Sequence, residues 1–254
     1  MTVHRVPVPH ERVPTGAVNT YLVDAGSVVL VDPPERHPEL DALLAKRRLD
    51  AVVATHHHPD HAGGVAAYAR EHDATVYCRT GRAAAFADAT GVTPDRTVRE
   101  GEDVSGALTV HDTPGHAPEH LAFACGAGLL VGDLAVADGS VAVTAPEGEL
   151  RAYLCSLRRV RALAPDRLYP GHGPVIDDPR ATCERLLDNR LERERRVLAA
   201  VEAGARTLDA VTTDAYEKDV SAVWGMAVGT VEAHVEKLAV EGRVRWDGER
   251  VRPA

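Results

Sequence analysis

The stretch that most constrains this chain is Thr55-His56-His57-His58-Pro59-Asp60-His61-Ala62-Gly63-Gly64. It follows Leu49-Asp50-Ala51-Val52-Val53-Ala54, a short apolar run bounded by charge that reads as a buried strand. The Gly63-Gly64 pair opens a segment that reads as helix over 62–72. His56, His58, Asp60 and His61 are therefore expected on a strand-to-helix loop, where α/β sheets expose chemistry at the carboxyl ends of their strands. Three imidazoles and a carboxylate within six residues form a metal site in outline. His57 alternates with them and is expected to point away.

Donors of the same kind recur downstream in the same setting. A strand over 108–112 runs into Thr113-Pro114-Gly115-His116. A hairpin of 121–125 and 129–133 ends on Asp133, and a short strand at 167–169 ends in Pro170-Gly171-His172-Gly173. Imidazole and carboxylate without thiolate suit zinc, and also iron or manganese. Seven such residues (His56, His58, Asp60, His61, His116, Asp133 and His172) are too many for one tetrahedral ion and right for two divalent metals. A bridging carboxylate lets two cations sit roughly 3.5–4 Å apart, lowering the pKa of a shared water to about 7 and polarising a scissile carbonyl or phosphoryl group.

The remaining pattern is mixed α/β. A strand over 3–8 precedes a hairpin of 18–24 and 28–32, which Pro33-Pro34 stops. Helices are expected over 38–47, 81–89 and 150–163, with a strand at 75–78. Mixed strands and helices with reactive residues at strand ends imply a layered sheet with helices outside. Pro179 marks a change of character. A long, charge-dense helix over 180–203 reads as solvated or bridging. Beyond it come a short helix near 207–211, a second near 221–227, a third over 230–241, and a small hairpin turning at Asp247-Gly248. Residues 1–178 are thus expected to form a catalytic domain, 179–204 a linking helix and 205–254 a winged-helix-like domain.

Composition narrows the partners. The formal charge of −9 offers no general attraction to nucleic acid or anionic membrane. No run approaches a membrane span, and the first residues lack a signal peptide's apolar core, so a cytoplasmic protein is expected. The four scattered cysteines read as small buried hydrophobes.

The pattern resembles the metallo-β-lactamase superfamily: its His-x-His-x-Asp-His signature on 56–61, its further histidine on His116, its aspartate in Val-Gly-Asp133 and its last histidine on His172. The resemblance covers about residues 10–178 and implies an αββα sandwich. It further implies that His56, His58 and His116 hold one metal, that Asp60, His61 and His172 hold the other, and that Asp133 bridges them. The C-terminal unit resembles the winged-helix tail of the lactamase-beta-like protein 2 group, whose best-described activity is single-stranded endoribonuclease. The expected function is a two-metal hydrolase using a metal-bound hydroxide, with single-stranded RNA phosphodiesters as first substrate class. A thioester or other small acyl ester, in the manner of glyoxalase II, is the first alternative. A mononuclear iron persulfide dioxygenase is the second.

Asp60 is also expected to act as proton shuttle to the leaving group. His120 either orients His116 or lines the pocket, and Tyr169 is expected to pack in the core. His4, His10, His37, His72, His111 and His234 read as surface or locally bonded histidines. The helix at 230–241 carries Glu232, Glu236 and Glu241 against Lys237 alone. A helix that meets phosphates is basic, so packing, homodimerisation or shaping of the substrate channel is expected of this tail rather than duplex DNA binding.

Overall fold

The computed structural model describes residues 1–254 except Arg12 and Pro14. Two sheets lie face to face. The first runs in sequence order: β1 (Thr2–Pro9), β2 (Ala17–Asp24), β3 (Val28–Val31), β4 (Ala51–Val53), β5 (Thr75–Arg79) and β6 (Arg96–Val98). Its first three strands pair antiparallel, and β3 through β6 pair parallel. The second sheet comprises β7 (Asp103–Val104), β8 (Leu108–Asp112), β9 (Leu121–Cys125), β10 (Gly128–Gly132) and β11 (Leu168–Pro170). Its strands also lie in sequence order, with only the β10–β11 pair parallel.

Side-chain alternation explains the layers. Tyr21, Val23, Val29, Val31, Val53 and Tyr77 point inward and meet Leu121, Phe123 and Leu130 of the second sheet. Their alternates Leu22, Leu30, Val52 and Val76 point outward, under helices α1 (Pro38–Leu44), α3 (Val65–His72) and α4 (Ala83–Thr90). Strands covered on both faces read as continuous apolar runs. The second sheet's outer face is covered by α5 (Leu150–Leu163) and α6 (Pro179–Ala203) through Leu154, Leu157, Cys183 and Leu186. Glu149 caps α5 by accepting the Arg151 and Ala152 N–H groups, and Asp178 caps α6 ahead of Pro179 at its first turn. The αββα order is thereby complete.

Helix α6 bridges two cores. Its first half joins the sandwich, while Val197, Ala200 and Val201 pack with α7 (Leu208–Ala215), α8 (Trp224–Val240) and the hairpin of β12 (Val244–Trp246) and β13 (Val251–Pro253).

Three local expectations need correction. The helix expected over 62–72 is two: a one-turn α2 (Pro59–Ala62) carries Asp60 and His61, and α3 starts after Gly64. The two helices expected near 221–227 and 230–241 are one continuous α8 behind a 3-10 turn at Ser221–Val223. Gly229 does not break it; a Cβ there would stand 3.2 Å from Thr144 Cβ, so the glycine permits close packing on that loop. The short strands β6 and β7 have mostly exposed polar residues and give no apolar signal. His234 is not at the surface: it is fully buried, with neither ring nitrogen in a hydrogen bond and Nδ1 3.9 Å from Glu194 Oε2. Tyr169 packs edge-on against Tyr21 in the core, as expected.

Candidate metal centre

The residues that the motifs single out converge at the carboxyl ends of β4, β8, β10 and β11. His56 and His58 leave β4, and Asp60 and His61 follow on α2. His116 follows β8, Asp133 follows β10 directly, and His172 lies two residues past β11. His56 Nε2 stands 2.9 Å from His58 Nδ1, and His116 Nε2 stands 3.1 Å from that same nitrogen. A second trio is formed by Asp60, His61 and His172. Its two Nε2 atoms are 3.3 Å apart, with Asp60 Oδ2 at 3.7 Å from His61 and 3.5 Å from His172. Asp133 lies between the trios. Its Oδ1 is 3.4 Å from His61 Nε2 and 3.3 Å from His172 Nε2, and its Oδ2 is 3.6 Å from His116 Nε2.

These separations fit a pair of cations. Nitrogen donors at about 2.0–2.1 Å from a tetrahedral zinc are roughly 3.3–3.4 Å from one another. The outward nitrogen of every histidine in the two trios has a polar partner. His56 Nδ1 meets Thr55 Oγ1 (3.1 Å), His58 Nε2 meets Glu147 (3.3 Å), and His61 Nδ1 meets Asp32 (3.0 Å). His116 Nδ1 donates to the Ala142 carbonyl (2.8 Å), and His172 Nδ1 to the Ala17 carbonyl (3.3 Å). Each such bond fixes a tautomer and turns the free lone pair inward, as in metal-binding histidines. Asp133 Oδ1, buried and without a hydrogen-bond partner, faces the same space.

The two halves differ electrostatically. Burial, then repulsion from His61 and His116, holds His56 well below the ordinary imidazole range, and burial also lowers His116. Against burial, Asp133 and Asp32 hold His61 well above that range, and Asp133 with Asp60 brings His172 to about 9. Asp133 and Asp60 are lowered in turn, the His61 and His172 charges outweighing burial. The Asp60–His61–His172 half is therefore built around positive charge.

Asp32 stands out although no motif marks it. It ends β3 in a left-handed backbone (φ 55°) and is 1% exposed. Its carboxylate accepts the Thr55 N–H (2.6 Å), the Thr55 hydroxyl (2.9 Å) and His61 Nδ1–H. Since the Thr55 hydroxyl donates to Asp32, its oxygen is left to accept from His56 Nδ1. One carboxylate thus orients a histidine in each trio.

Two glycines show how closely the loops meet. A Cβ on Gly171 would stand 2.5 Å from His61 Cε1 and 2.9 Å from Asp133 Oδ1. One on Gly132 would stand 2.4 Å from Thr55 Oγ1. His120 does not orient His116. It accepts the Asp133 backbone N–H at Nε2 (3.2 Å) and bonds Thr113 Oγ1 through Nδ1 (2.8 Å), fixing Asp133 instead. Burial pushes His120 down to about 3, so it stays neutral and able to accept. His57 points away from both trios, towards Glu119 at 3.2 Å.

The sequence profile of the metallo-beta-lactamase superfamily matches residues 13–172, the span that holds every residue of the cluster. The chain belongs to that superfamily. It is a metal-dependent hydrolase by family. It is 31% identical to the beta-lactamase-like protein 2 homolog of Drosophila melanogaster, over 89% of this chain and 84% of that protein. It is 33% identical to a hydroxyacylglutathione hydrolase of Cereibacter sphaeroides, over 88% of this chain and 90% of the relative. Among solved structures, a metallo-beta-lactamase family protein from Thermus thermophilus superposes with a TM-score of 0.79 at 28% identity. That match covers 99% of this chain and 98% of the other, so the likeness extends through the C-terminal unit. No helix of the described residues is long and apolar enough to cross a membrane.

Proposed function

We propose that the protein hydrolyses small acyl esters, thioesters foremost, with His56, His58 and His116 holding one divalent metal and Asp60, His61 and His172 the other, Asp133 bridging. Zinc suits this donor set, with iron or manganese as alternatives. Bound there, a metal pair supplies Lewis acidity that acidifies a water and polarises the ester carbonyl.

The cavity over the cluster carries the substrate assignment. It holds about 500 Å³, within the range of small-ligand sites, and its wall includes Val136, Ala137, Val141, Ala142 and Met226. No lysine or arginine is among its described lining residues. A single-stranded RNA crossing such a site brings a charge with every nucleotide and needs cations along its path. A short acyl chain needs an apolar wall. The lining therefore supports the acyl-ester alternative over the RNA phosphodiesters to which the tail resemblance points. The hydroxyacylglutathione hydrolase relative supports the same choice.

In this reading water adds to the acyl carbon, the carbon–sulfur bond breaks, and the thiol leaves with a proton. Asp60, its Oδ2 beside His172 and its side chain partly exposed, moves that proton. Asp32, Thr55 and His120 hold the donors in place, and the apolar wall excludes bulk water from the acyl group.

Residues 205–254, as a winged-helix-like unit attached through α6, shape the cavity: Met226 of α8 forms part of its wall, and the Gly229 carbonyl accepts the Ala145 N–H at 3.0 Å. Lys237, the cation of that helix, is buried against Glu194 (2.7 Å) and Glu241 (2.9 Å) and offers nothing to a duplex.

The test is hydrolysis of a panel of acyl thioesters, lactones and labelled single-stranded RNA by zinc- or manganese-loaded protein, with Asp133→Ala purified in parallel. Thioester cleavage by the wild type alone is expected. RNA cleavage abolished by Asp133→Ala, with no ester turnover, would replace this reading by the phosphodiesterase one.

A further inference from the structure

Beside the cavity over the cluster, across Met226, lies further open space. Ser140, Val141, Ala142 and Met226 also line a second hollow of about 140 Å³, whose other walls include Val220 and Val223. Its far side is cationic, formed by Arg190, Arg193 and Lys218, and Arg193, Lys218 and Ser140 in turn border a third hollow of about 360 Å³ with Arg185 and Arg196. Ser140, Val141, Ala142 and Met226 are thus a shared wall that sets the cluster's cavity beside a cationic pocket between α6 and the segment after α7.

Charge balance makes this pocket unusual in a chain with a net charge of −9. Arg196 is neutralised by Glu192 and Glu217. Arg185, Arg190, Arg193 and Lys218 have no carboxylate partner among the described residues. Arg185 spends its donors on the Gly139, Val136 and Ala137 carbonyls. Arg193 lies 4.1 Å over the Tyr216 ring. Burial and the neighbouring Arg190 and Arg196 charges pull it below the ordinary guanidinium range. Arg190 is 4% exposed and lies over Tyr153; it donates to the Val141 carbonyl, and its Nε is buried without any partner. Burying an unpaired cation is costly, and each orphaned buried donor calls for an explanation. A bound anion supplies one.

We infer that this pocket binds the phosphate-bearing end of the thiol carrier of an acyl thioester, while the carrier's neutral arm crosses the shared wall at Val141, Ala142 and Met226 and the metal cluster takes the thioester. The inference rests on the acyl-thioester reading for the reacting group, but the anion pocket itself does not. A cluster of four uncompensated cations, three of them planar guanidinium forks, matches phosphate oxygens better than a lone carboxylate. A charge-free arm between two polar ends also distinguishes such a carrier from a polynucleotide.

The experiment has two readouts. Calorimetric titration with coenzyme A and with inorganic pyrophosphate measures anion binding, on wild type, Lys218→Gln and Arg193→Gln. Steady-state hydrolysis compares acetyl-coenzyme A, the neutral S-acetyl-N-acetylcysteamine and S-acetylglutathione. Wild type is expected to favour the coenzyme A ester over the neutral ester by at least about a hundredfold in kcat/KM, mainly through KM. Lys218→Gln, at an exposed position that folding does not need, is expected to cut coenzyme A affinity and that preference by about tenfold. Equal use of all three esters, or coenzyme A binding unmoved by either variant, overturns the inference while leaving the thioester reading intact. A Lys218 effect confined to the glutathione ester overturns the phosphate assignment. Lys218-dependent binding of coenzyme A and pyrophosphate without turnover of any thioester upholds the anion pocket and refutes the thioester reading.

Discussion

Asp32→Asn tests the hydrogen-bond logic of the centre with a nearly isosteric change. In the wild type one carboxylate oxygen accepts the Thr55 N–H at 2.6 Å, and the other accepts both the Thr55 hydroxyl at 2.9 Å and His61 Nδ1–H at 3.0 Å. An amide can keep the first bond only by turning its NH2 toward His61, where donor meets donor. His61 escapes by moving its proton to Nε2, the nitrogen that faces Asp60, Asp133 and His172. A protonated Nε2 cannot ligate. Removing such a supporting carboxylate typically costs about 10–100-fold in metal affinity, which is roughly 1.4–2.7 kcal/mol. The larger loss belongs to the Asp60–His61–His172 half, because Asp32 bonds His61 directly but reaches the other trio only through the Thr55 hydroxyl at His56, while His58 and His116 are held by Glu147 and the Ala142 carbonyl. The assay is competition of a chromophoric chelator against two equivalents of zinc, resolved into a tight and a weakened step. A melting curve of the metal-free variant controls for folding. Two equivalents bound with wild-type affinity in a normally folded variant would falsify the assignment of His61 as a ligand oriented by Asp32.

Further outcomes follow from the same geometry. Gly171→Ala puts a Cβ 2.5 Å from His61 Cε1; since misplacement by about 1 Å can cost about a hundredfold in rate, kcat is expected to fall on that scale in a protein that still folds, and unchanged turnover would refute the close approach. Asp60→Asn is expected to lower kcat by at least about a hundredfold at matched metal content; full turnover with full metal rules out proton transfer by Asp60. His234 is fully buried and held to about 4 by burial, with Arg190 and Arg193 adding to it and Glu194 opposing. Because its folded pKa is depressed, the unfolded chain binds more protons between about pH 6.5 and pH 4; stability is fully present above about 6.5 and falls by roughly 3 kcal/mol as pH drops towards 4. His234→Leu is expected to flatten that acid limb, followed by fluorescence of Trp224 and Trp246, the chain's two tryptophans, both in the C-terminal unit. An acid limb identical to wild type would show that His234 does not carry it.

What the sequence disclosed about the site follows from where the chemistry sits. Each candidate ligand is written next to a strand end, and strand ends announce themselves as apolar runs cut short by Gly or Pro. Leu130-Val131-Gly132 before Asp133 and Leu168-Tyr169-Pro170 before His172 are of this kind, while Val52-Val53 before His56 is an apolar run that ends at the histidine loop itself. The two-layer core was legible for the same reason, its strands being apolar on both faces. Asp32 was not legible: it follows a buried strand too, but its partners Thr55 and His61 lie 23 and 29 positions away, and no spacing rule joins them. The role of His120 is not legible in its sequence neighbourhood, because its partner Asp133 is brought beside it only by the β8–β9–β10 pairing. The continuous α8 was hidden because a glycine weighs against a helix interior, and only the packing of Gly229 on Thr144 shows why it is tolerated there. The cationic pocket is the extreme case. Arg190 and Arg193 lie in a charge-dense helix whose periodicity reads as solvated, and the buried, unpaired state of Arg190 exists only once α6 has docked beneath the 138–142 loop. Local pattern therefore carries the candidate metal ligands, which the fold delivers by strand ends, whereas the groups proposed to select the substrate are assembled by packing between distant elements.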